Sequence, residues 1–184
     1  MLRNTVTQWG TVAKAFHWGV AVLIFPEFLL GWVAATLALS PTKLDLFVWH
    51  KSIGLLLLLV VALRLAWRLA NPVVRPPASM PGWQRHASRG NHLAQYVLLL
   101  ALPFSGWIID SAANIPFRVF WIIPLPHLAG PSEALEEFAK HIHLIVSLGL
   151  AGLLAVHTGA ALWHHLIARD DVLRRMLPQW RNEP

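Results

Sequence analysis

The stretch HLIVSLGLAGLLAVH, residues 143–157, decides the fold. Between its two histidines every residue is apolar or small, and none is charged. The run continues past His157 to about Ile167, and ~20 apolar residues make a helix long enough to cross a bilayer. His143 and His157 are fourteen residues apart. At 3.6 residues per turn that spacing drifts by only ~40°, so both imidazoles share one helix face, about 21 Å apart along the axis. The segment therefore reads as a membrane helix carrying one histidine near each surface.

Three more segments of this kind lie upstream. The apolar runs are Ala15 to Leu39, Leu46 to Leu69, Leu93 to Ile109 and Leu144 to about Ile167. They predict helices over about 15–39, 46–69, 91–110 and 138–168, one integral-membrane domain spanning 1–184. The fold class that follows is all-α, a transmembrane four-helix bundle. Ser40-Pro41 and Asn71-Pro72 mark helix ends, because proline disfavours helix in the residue before it. Pro26 and Pro103 fall inside segments and predict kinks. The first segment is longer than a leader's apolar region and lacks a small-residue cleavage pattern, so it reads as a retained span.

Composition agrees. Of 184 residues 56% are hydrophobic and 13% charged, with 10 Trp, 10 His and no Cys; mean hydropathy is +0.53. A soluble domain needs more polar surface. Without cysteine there is no disulfide, thiolate nucleophile, iron–sulfur cluster or Cys-x-x-Cys-His haem attachment. The net charge of +6 reports topology and lipid contact, not nucleic acid. With four crossings, Arg3, Lys14, Arg64, Arg68, Arg75, Arg85, Arg89, Arg169, Arg174, Arg175 and Arg181 share one side, against Lys43, Lys51, Arg118 and Lys140 on the other. The positive-inside rule then predicts both termini in the cytoplasm and two outer connections, 40–45 and the Pro- and aromatic-rich 110–140. The latter is expected to dip into the interface or cap the bundle, and the Arg/Pro-rich stretch 71–89 is expected to be a cytoplasmic loop.

Histidine inside a membrane segment is costly and points to function. His17 opens the first helix on the inner side, His50 the second on the outer side, and His143 and His157 occupy both levels of the fourth. Antiparallel packing thus pairs His50 with His143 and His17 with His157. Two facing imidazoles at one depth suit the axial ligands of a b-type haem iron, whose filled coordination directs it to electron transfer. Zinc fits less well, since it takes three or four protein ligands at one point. His92 opens the third helix near the inner level and rivals His17 or His157 as ligand. Gly31, Gly54, Gly106, Gly149, Gly152 and Gly159 suit either a macrocycle against the backbone or close helix packing.

Polar neighbours suggest further contacts. Arg64 and Arg68 are candidates to meet haem propionates or a quinone carbonyl; the alternative is snorkelling to headgroups. Lys51 serves the outer haem or anchors the interface. His164 and His165, with Arg89, form a candidate inner pocket for a quinone headgroup, or are interfacial helix-end residues. Glu27, the one acid in the first segment, either assists proton transfer or hydrogen-bonds across helices. His86, His127 and His141 read as bystanders. Trp9, Trp18, Trp49, Trp67, Trp83 and Trp163 sit near segment ends as an aromatic belt.

His17-Trp18, His50 with Arg64 and Arg68, His92 with Tyr96 and Leu102-Pro103, His143 with His157, and His164-His165 followed by Arg174-Arg175-Met176-Leu177-Pro178 together resemble the prokaryotic cytochrome b561 family, over about Ala13 to Pro178. The resemblance implies a bacterial inner-membrane cytochrome with two haem b groups that exchanges electrons with ubiquinone. His17 and His157 would hold the inner haem, His50 and His143 the outer. It also implies superoxide oxidation at the outer face with ubiquinone as acceptor. Lys51 and Arg118, with Lys43 and Lys140, would then draw superoxide in, opposed by Glu133, Glu136 and Glu137. The alternative is a haem-bearing electron-transfer subunit for a periplasmic dehydrogenase or hydrogenase.

Overall fold

The computed structural model describes residues 1–77 and 80–178. Four long helices follow one another: α1 (Thr11–Thr36), α2 (Pro41–Leu69), α3 (Gly82–Ala112) and α4 (Glu133–Trp163). All four are long and apolar enough to cross a membrane. Their outer faces carry exposed aliphatic side chains such as Leu29, Leu59, Val97 and Leu148, the surface that lipid chains solvate. Helices suit this solvent because each satisfies its own backbone polar groups.

The helix starts follow local chemistry. Pro41 occupies the first turn of α2, where a missing N–H costs nothing, and Ser40 Oγ accepts from Lys43 N. Ser132 caps α4 by accepting from Leu135 N, with Glu133 and Glu136 in the first turn complementing the helix dipole. These caps start α2 at residue 41 and α4 at 133, ahead of the expected 46 and 138. Similarly, α1 stops at Thr36, short of the expected 39. The short connection to α2 is therefore tighter than the 40–45 loop expected from hydropathy.

The third helix differs most. It starts at Gly82 after Pro81, not near 91. Its first turns hold Arg85, His86, Ser88 and Arg89, a polar extension that hydropathy cannot distinguish from a loop. The stretch 71–89 is thus helical from Gly82 onward, and His86 lies on α3. Pro26 and Pro103 do lie within α1 and α3.

α1 packs along α2 and α3 along α4, and the two pairs meet chiefly through α2 and α3. Val20, Ile24, Leu57, Val61 and Leu150 form the buried apolar centre. In lipid such packing gains close contact rather than transfer from water.

The α3–α4 connection holds a small β-hairpin, β1 (Phe117–Val119) antiparallel to β2 (Ile123–Leu125), with Phe117 opposite Leu125. It caps the bundle. Phe120 N donates to Ser52 Oγ of α2 at 2.8 Å, and Trp49 meets both Phe120 and Trp121 edge-on. Phe120 and Trp121 both have positive φ, 49° and 63°, in a turn closed by Ile122 N on Val119 O. Bulky residues there cost on the order of 1 kcal/mol each, and the Ser52 bond and Trp49 hold them in place. We call this the hairpin end.

At the opposite, terminal end, Trp18 Nε1 donates to Met176 O and Lys14 Nζ to Leu177 O. Arg75 N reaches Val6 O, and Arg175 reaches Arg75 O. The N-terminal residues, the α2–α3 connection and the C-terminal segment are thus stitched together there. Arg181, counted above with the basic residues of this end, lies outside the described residues. After Trp163 the chain forms a π-helical turn, His164–Ala168, then a short 3₁₀ turn, Arg174–Met176.

Candidate functional site

The bundle brings the four predicted histidines together in two pairs. At the hairpin end the ring centroids of His50 (α2) and His143 (α4) are 6.2 Å apart. At the terminal end those of His17 (α1) and His157 (α4) are 6.0 Å apart. With a metal–imidazole nitrogen bond of ~2.0–2.1 Å, two imidazoles on opposite sides of one metal ion have centroids about 6.3 Å apart. Both pairs match that spacing. His92 (α3) is nearer still, 5.3 Å from His157.

Each histidine of the hairpin-end pair is oriented by a partner on its Nδ1. His50 Nδ1 is 3.0 Å from Glu27 Oε1 and 3.2 Å from the Glu27 carbonyl oxygen. Both oxygens accept, so Nδ1 carries the proton and Nε2 keeps its lone pair. His143 Nδ1 lies 2.9 Å from Ser105 Oγ, which itself donates to Leu102 O at 2.7 Å. The serine therefore accepts from Nδ1, with the same result. Such partners fix tautomer and ring direction in metal-binding histidines. Glu27 thus hydrogen-bonds across helices, one of the two roles foreseen for it.

Two glycines make room for this pair. A Cβ on Gly31 would stand 2.8 Å from His50 Cε1, and one on Gly106 would stand 3.5 Å from His143 Cε1. They let imidazoles approach the backbone of α1 and α3. Gly54 faces Glu27 in the same way, its Cβ position 3.1 Å from Oε1. Gly19, Gly152 and Gly159 meet no such neighbour.

The terminal-end pair is held differently. Arg64 Nη2 is 3.1 Å from His17 Nδ1, and a guanidinium can only donate. Arg64 and Arg68 both lie over the Tyr96 ring, 5.7 and 5.6 Å from its centroid. Gln95 Nε2 donates to Leu153 O, one turn before His157, and to Asn91 Oδ1. A cavity of about 510 Å³ opens between the helices here, lined by His17, His92, His157, Arg64, Arg68 and Arg89 among others. Its deeper wall is apolar, with Val20, Ile24, Leu99 and Leu154. Among the described residues no arginine is in an ion pair.

The remaining predicted residues are scattered. Lys51 Nζ lies 2.6 Å from Asp110 Oδ1 and over the Phe47 and Phe117 rings. Arg118 is exposed on β1. Lys140 is paired with Glu136 and Glu137. His164 does not line this cavity; its Nδ1 bonds Asp170 Oδ2 at 2.5 Å. Sequence reasoning did not find Ser105, Asp110, Gln95 or Asp170. An acid at the end of an apolar segment was the available signal for Asp110, and nothing marked the others.

Paired imidazoles at both ends of an apolar membrane bundle, each pair spaced for one metal ion, define a membrane cytochrome that carries electrons. The sequence profile of prokaryotic cytochrome b561 matches residues 8–179, and the chain belongs to that family. It is 34% identical to cytochrome b561 homolog 2 of Escherichia coli (strain K12) over 178 residues, 95% of this chain and 93% of the relative. Cytochrome b561 homolog 1 of the same organism is 31% identical over 172 residues, 89% and 93% of the two chains. A probable superoxide oxidase, CybB, of Yersinia pestis is 27% identical over 180 residues, 95% and 98%. Members of the family bind haem b. The donor set fits that group: neutral imidazoles in pairs, apolar walls, and guanidinium groups at the terminal end for carboxylates.

Proposed function

We propose that this chain is a di-haem carrier of the bacterial inner membrane that takes electrons at its hairpin end and delivers them to ubiquinone at its terminal end. The observation that carries the reading is the pair of imidazole separations, 6.2 and 6.0 Å, at opposite ends of one apolar core. His50 and His143 would hold one haem b, His17 and His157 the other. Bound there, haem b would supply one-electron redox chemistry at each end of the bundle. Glu27 and Ser105 aim the hairpin-end imidazoles, and Arg64 would meet a carboxylate of the terminal-end haem. The excess of basic residues at the terminal end supports a cytoplasmic location for both termini.

Superoxide is the donor this reading favours, by analogy with the Yersinia pestis relative. Among the described residues the cations left without an acidic partner at the hairpin end are Lys43 and Arg118, since Lys51 and Lys140 are ion-paired. Arg118, exposed on the cap, is the steering charge we assign. A second reading draws on the exposed apolar Trp121, Ile122 and Ile123 at the hairpin. They offer a docking face for a periplasmic dehydrogenase or hydrogenase that would supply the electrons instead.

Purified protein tests both. A split α-band on reduction, with a pyridine haemochrome count of two haems per chain, is expected. A superoxide flux should then reduce the haem, and a ubiquinone analogue should reoxidise it. Absence of a Soret band overturns the haem reading, and haem left oxidised under superoxide leaves only the electron-transfer subunit.

A further inference from the structure

The hairpin that caps the bundle also reaches down the flank of α2. Its turn meets Trp49 through both Phe120 and Trp121, and Phe120 N donates to Oγ of the fully buried Ser52. Because α2 begins at Pro41, its first turns, with Lys43 and Asp45, project about 12 Å beyond Trp49 at 1.5 Å per residue. Trp49 and Trp67 stand eighteen residues apart on the same helix. That is about 27 Å along the axis, close to the ~30 Å of a bilayer's hydrocarbon core. The two indoles therefore mark the aromatic belts at which α2 leaves the apolar layer. The hairpin turn sits at the level of one of them.

The surface of that turn suits lipid better than water. Val119–Pro126, VFWIIPLP, holds no charged side chain. Ile122 is 74% exposed, Ile123 62% and Trp121 46%, and Trp49 beside them is 45% exposed. The hairpin's one charge, Arg118, pairs in register with Pro124, away from the tip. A face that docks a soluble protein carries a polar rim around its apolar centre, and this tip has none. Exposed apolar side chains beside a tryptophan belt are what the headgroup and acyl boundary of a bilayer accommodates. Phe120 and Trp121 also keep their bulk at left-handed φ, where glycine or asparagine would cost less. Large apolar side chains are thus retained at the turn against the preference of its backbone.

We propose that the hairpin tip, Trp121, Ile122 and Ile123, is an interfacial anchor that enters the leaflet at the hairpin end, with lipid acyl chains as its partner. The anchor holds the cap from the lipid side, as the Phe120–Ser52 bond holds it from within the bundle. The strained turn then stays seated on α2 two residues from His50. The inference goes beyond the electron-transfer reading and holds whichever donor is used. Lipid takes the surface that a periplasmic dehydrogenase or hydrogenase would otherwise cover, so such a partner would dock elsewhere on this end.

The chain has no cysteine, so single introduced thiols report water access without background. Full-length haem-loaded Ile122→Cys, Leu59→Cys and Asp45→Cys, in nanodiscs of phosphatidylcholine and phosphatidylglycerol, are treated with a sulfonated maleimide, and the mass shift is followed in time. The thiolate is the reacting form, and an apolar layer suppresses it. Leu59, exposed on the lipid-facing side of α2, sets the slow limit; Asp45, exposed in the first turns of α2, sets the fast one. Ile122→Cys should react at least about tenfold more slowly than Asp45→Cys. A rate matching that of Asp45→Cys overturns the anchor. Ile123→Cys, read against the same limits, decides the matter if Ile122→Cys loses its haem spectrum. Fast labelling in nanodiscs with slow labelling in native membrane vesicles means that a protein covers the tip, and overturns the anchor as well.

Discussion

Glu27 on α1 holds His50 on α2 through two oxygens, its side-chain Oε1 at 3.0 Å and its main-chain oxygen at 3.2 Å from the same Nδ1. The contact ties the orientation of a proposed haem ligand to a residue on another helix. Losing a partner of this kind weakens metal binding about 10–100-fold. Glu27→Leu should therefore lower haem occupancy at the hairpin end, while Glu27→Gln, which keeps an acceptor oxygen, should retain it. Haem per chain after dilution into apo-myoglobin checks this; equal haem retention in the two variants would sink the positioning role.

The glycines give a graded test of the same site. A methyl on Gly31 meets His50 Cε1 at 2.8 Å, a distance that forces movement, whereas a methyl on Gly106 meets His143 at an ordinary 3.5 Å. His50 cannot yield freely, because Glu27 fixes its Nδ1. Gly31→Ala is expected to lose or distort the hairpin-end haem and Gly106→Ala to keep it, as read from the two components of the reduced α-band. The reverse order would contradict the packing described.

Lys51 and Asp110 link α2 to α3 beneath the cap at 2.6 Å, with side-chain exposures of 24% and 8%. Removing one partner leaves a poorly solvated charge alone and costs about 3 kcal/mol, whereas removing both costs less. Lys51→Met should lower the thermal midpoint in detergent, and Lys51→Met with Asp110→Leu should recover part of it. Asp110→Asn instead frees the lysine charge. If superoxide is the donor, that variant should react faster at low salt, with a steeper salt dependence than the parent protein. A rate indifferent to salt would separate Lys51 from steering.

How far these relationships could be read beforehand depended on which axis they lie along. The depth of His17, His50, His143 and His157 follows from rise per residue, so their pairing at two levels was legible in spacing alone. Rotation about each helix axis is not encoded that way. Ser105 on His143, Asp110 on Lys51 and Arg64 on His17 each required the packed bundle. The polar start of α3 was missed because hydropathy detects lipid contact, and residues 82–90 project beyond the apolar run. The hairpin was missed because Phe120 and Trp121 adopt left-handed geometry that glycine or asparagine ordinarily signals. Here Ser52 and Trp49 impose it from another element.

The terminal-end site poses the sharpest question about ligation. His17 stands 6.0 Å from His157 and His92 stands 5.3 Å away, so spacing favours His17 as the second ligand. Yet Arg64 donates to His17 Nδ1, which places the imidazole proton on Nε2, the nitrogen that would bind iron. Ligation through Nε2 therefore requires Arg64 to release Nδ1 and turn elsewhere, and a haem propionate is the acceptor at hand in the proposed site. His17→Leu should then lose one haem and His92→Leu should keep both. Arg64→Gln should retain haem but lower the midpoint potential of that haem by tens of millivolts, because removing a nearby cation favours the oxidised, more positive iron. Spectroelectrochemical titration reads the shift. A potential that stays put, or a haem lost from His92→Leu and kept in His17→Leu, would transfer the ligand role to His92 and leave Arg64 as the partner of a non-ligating His17.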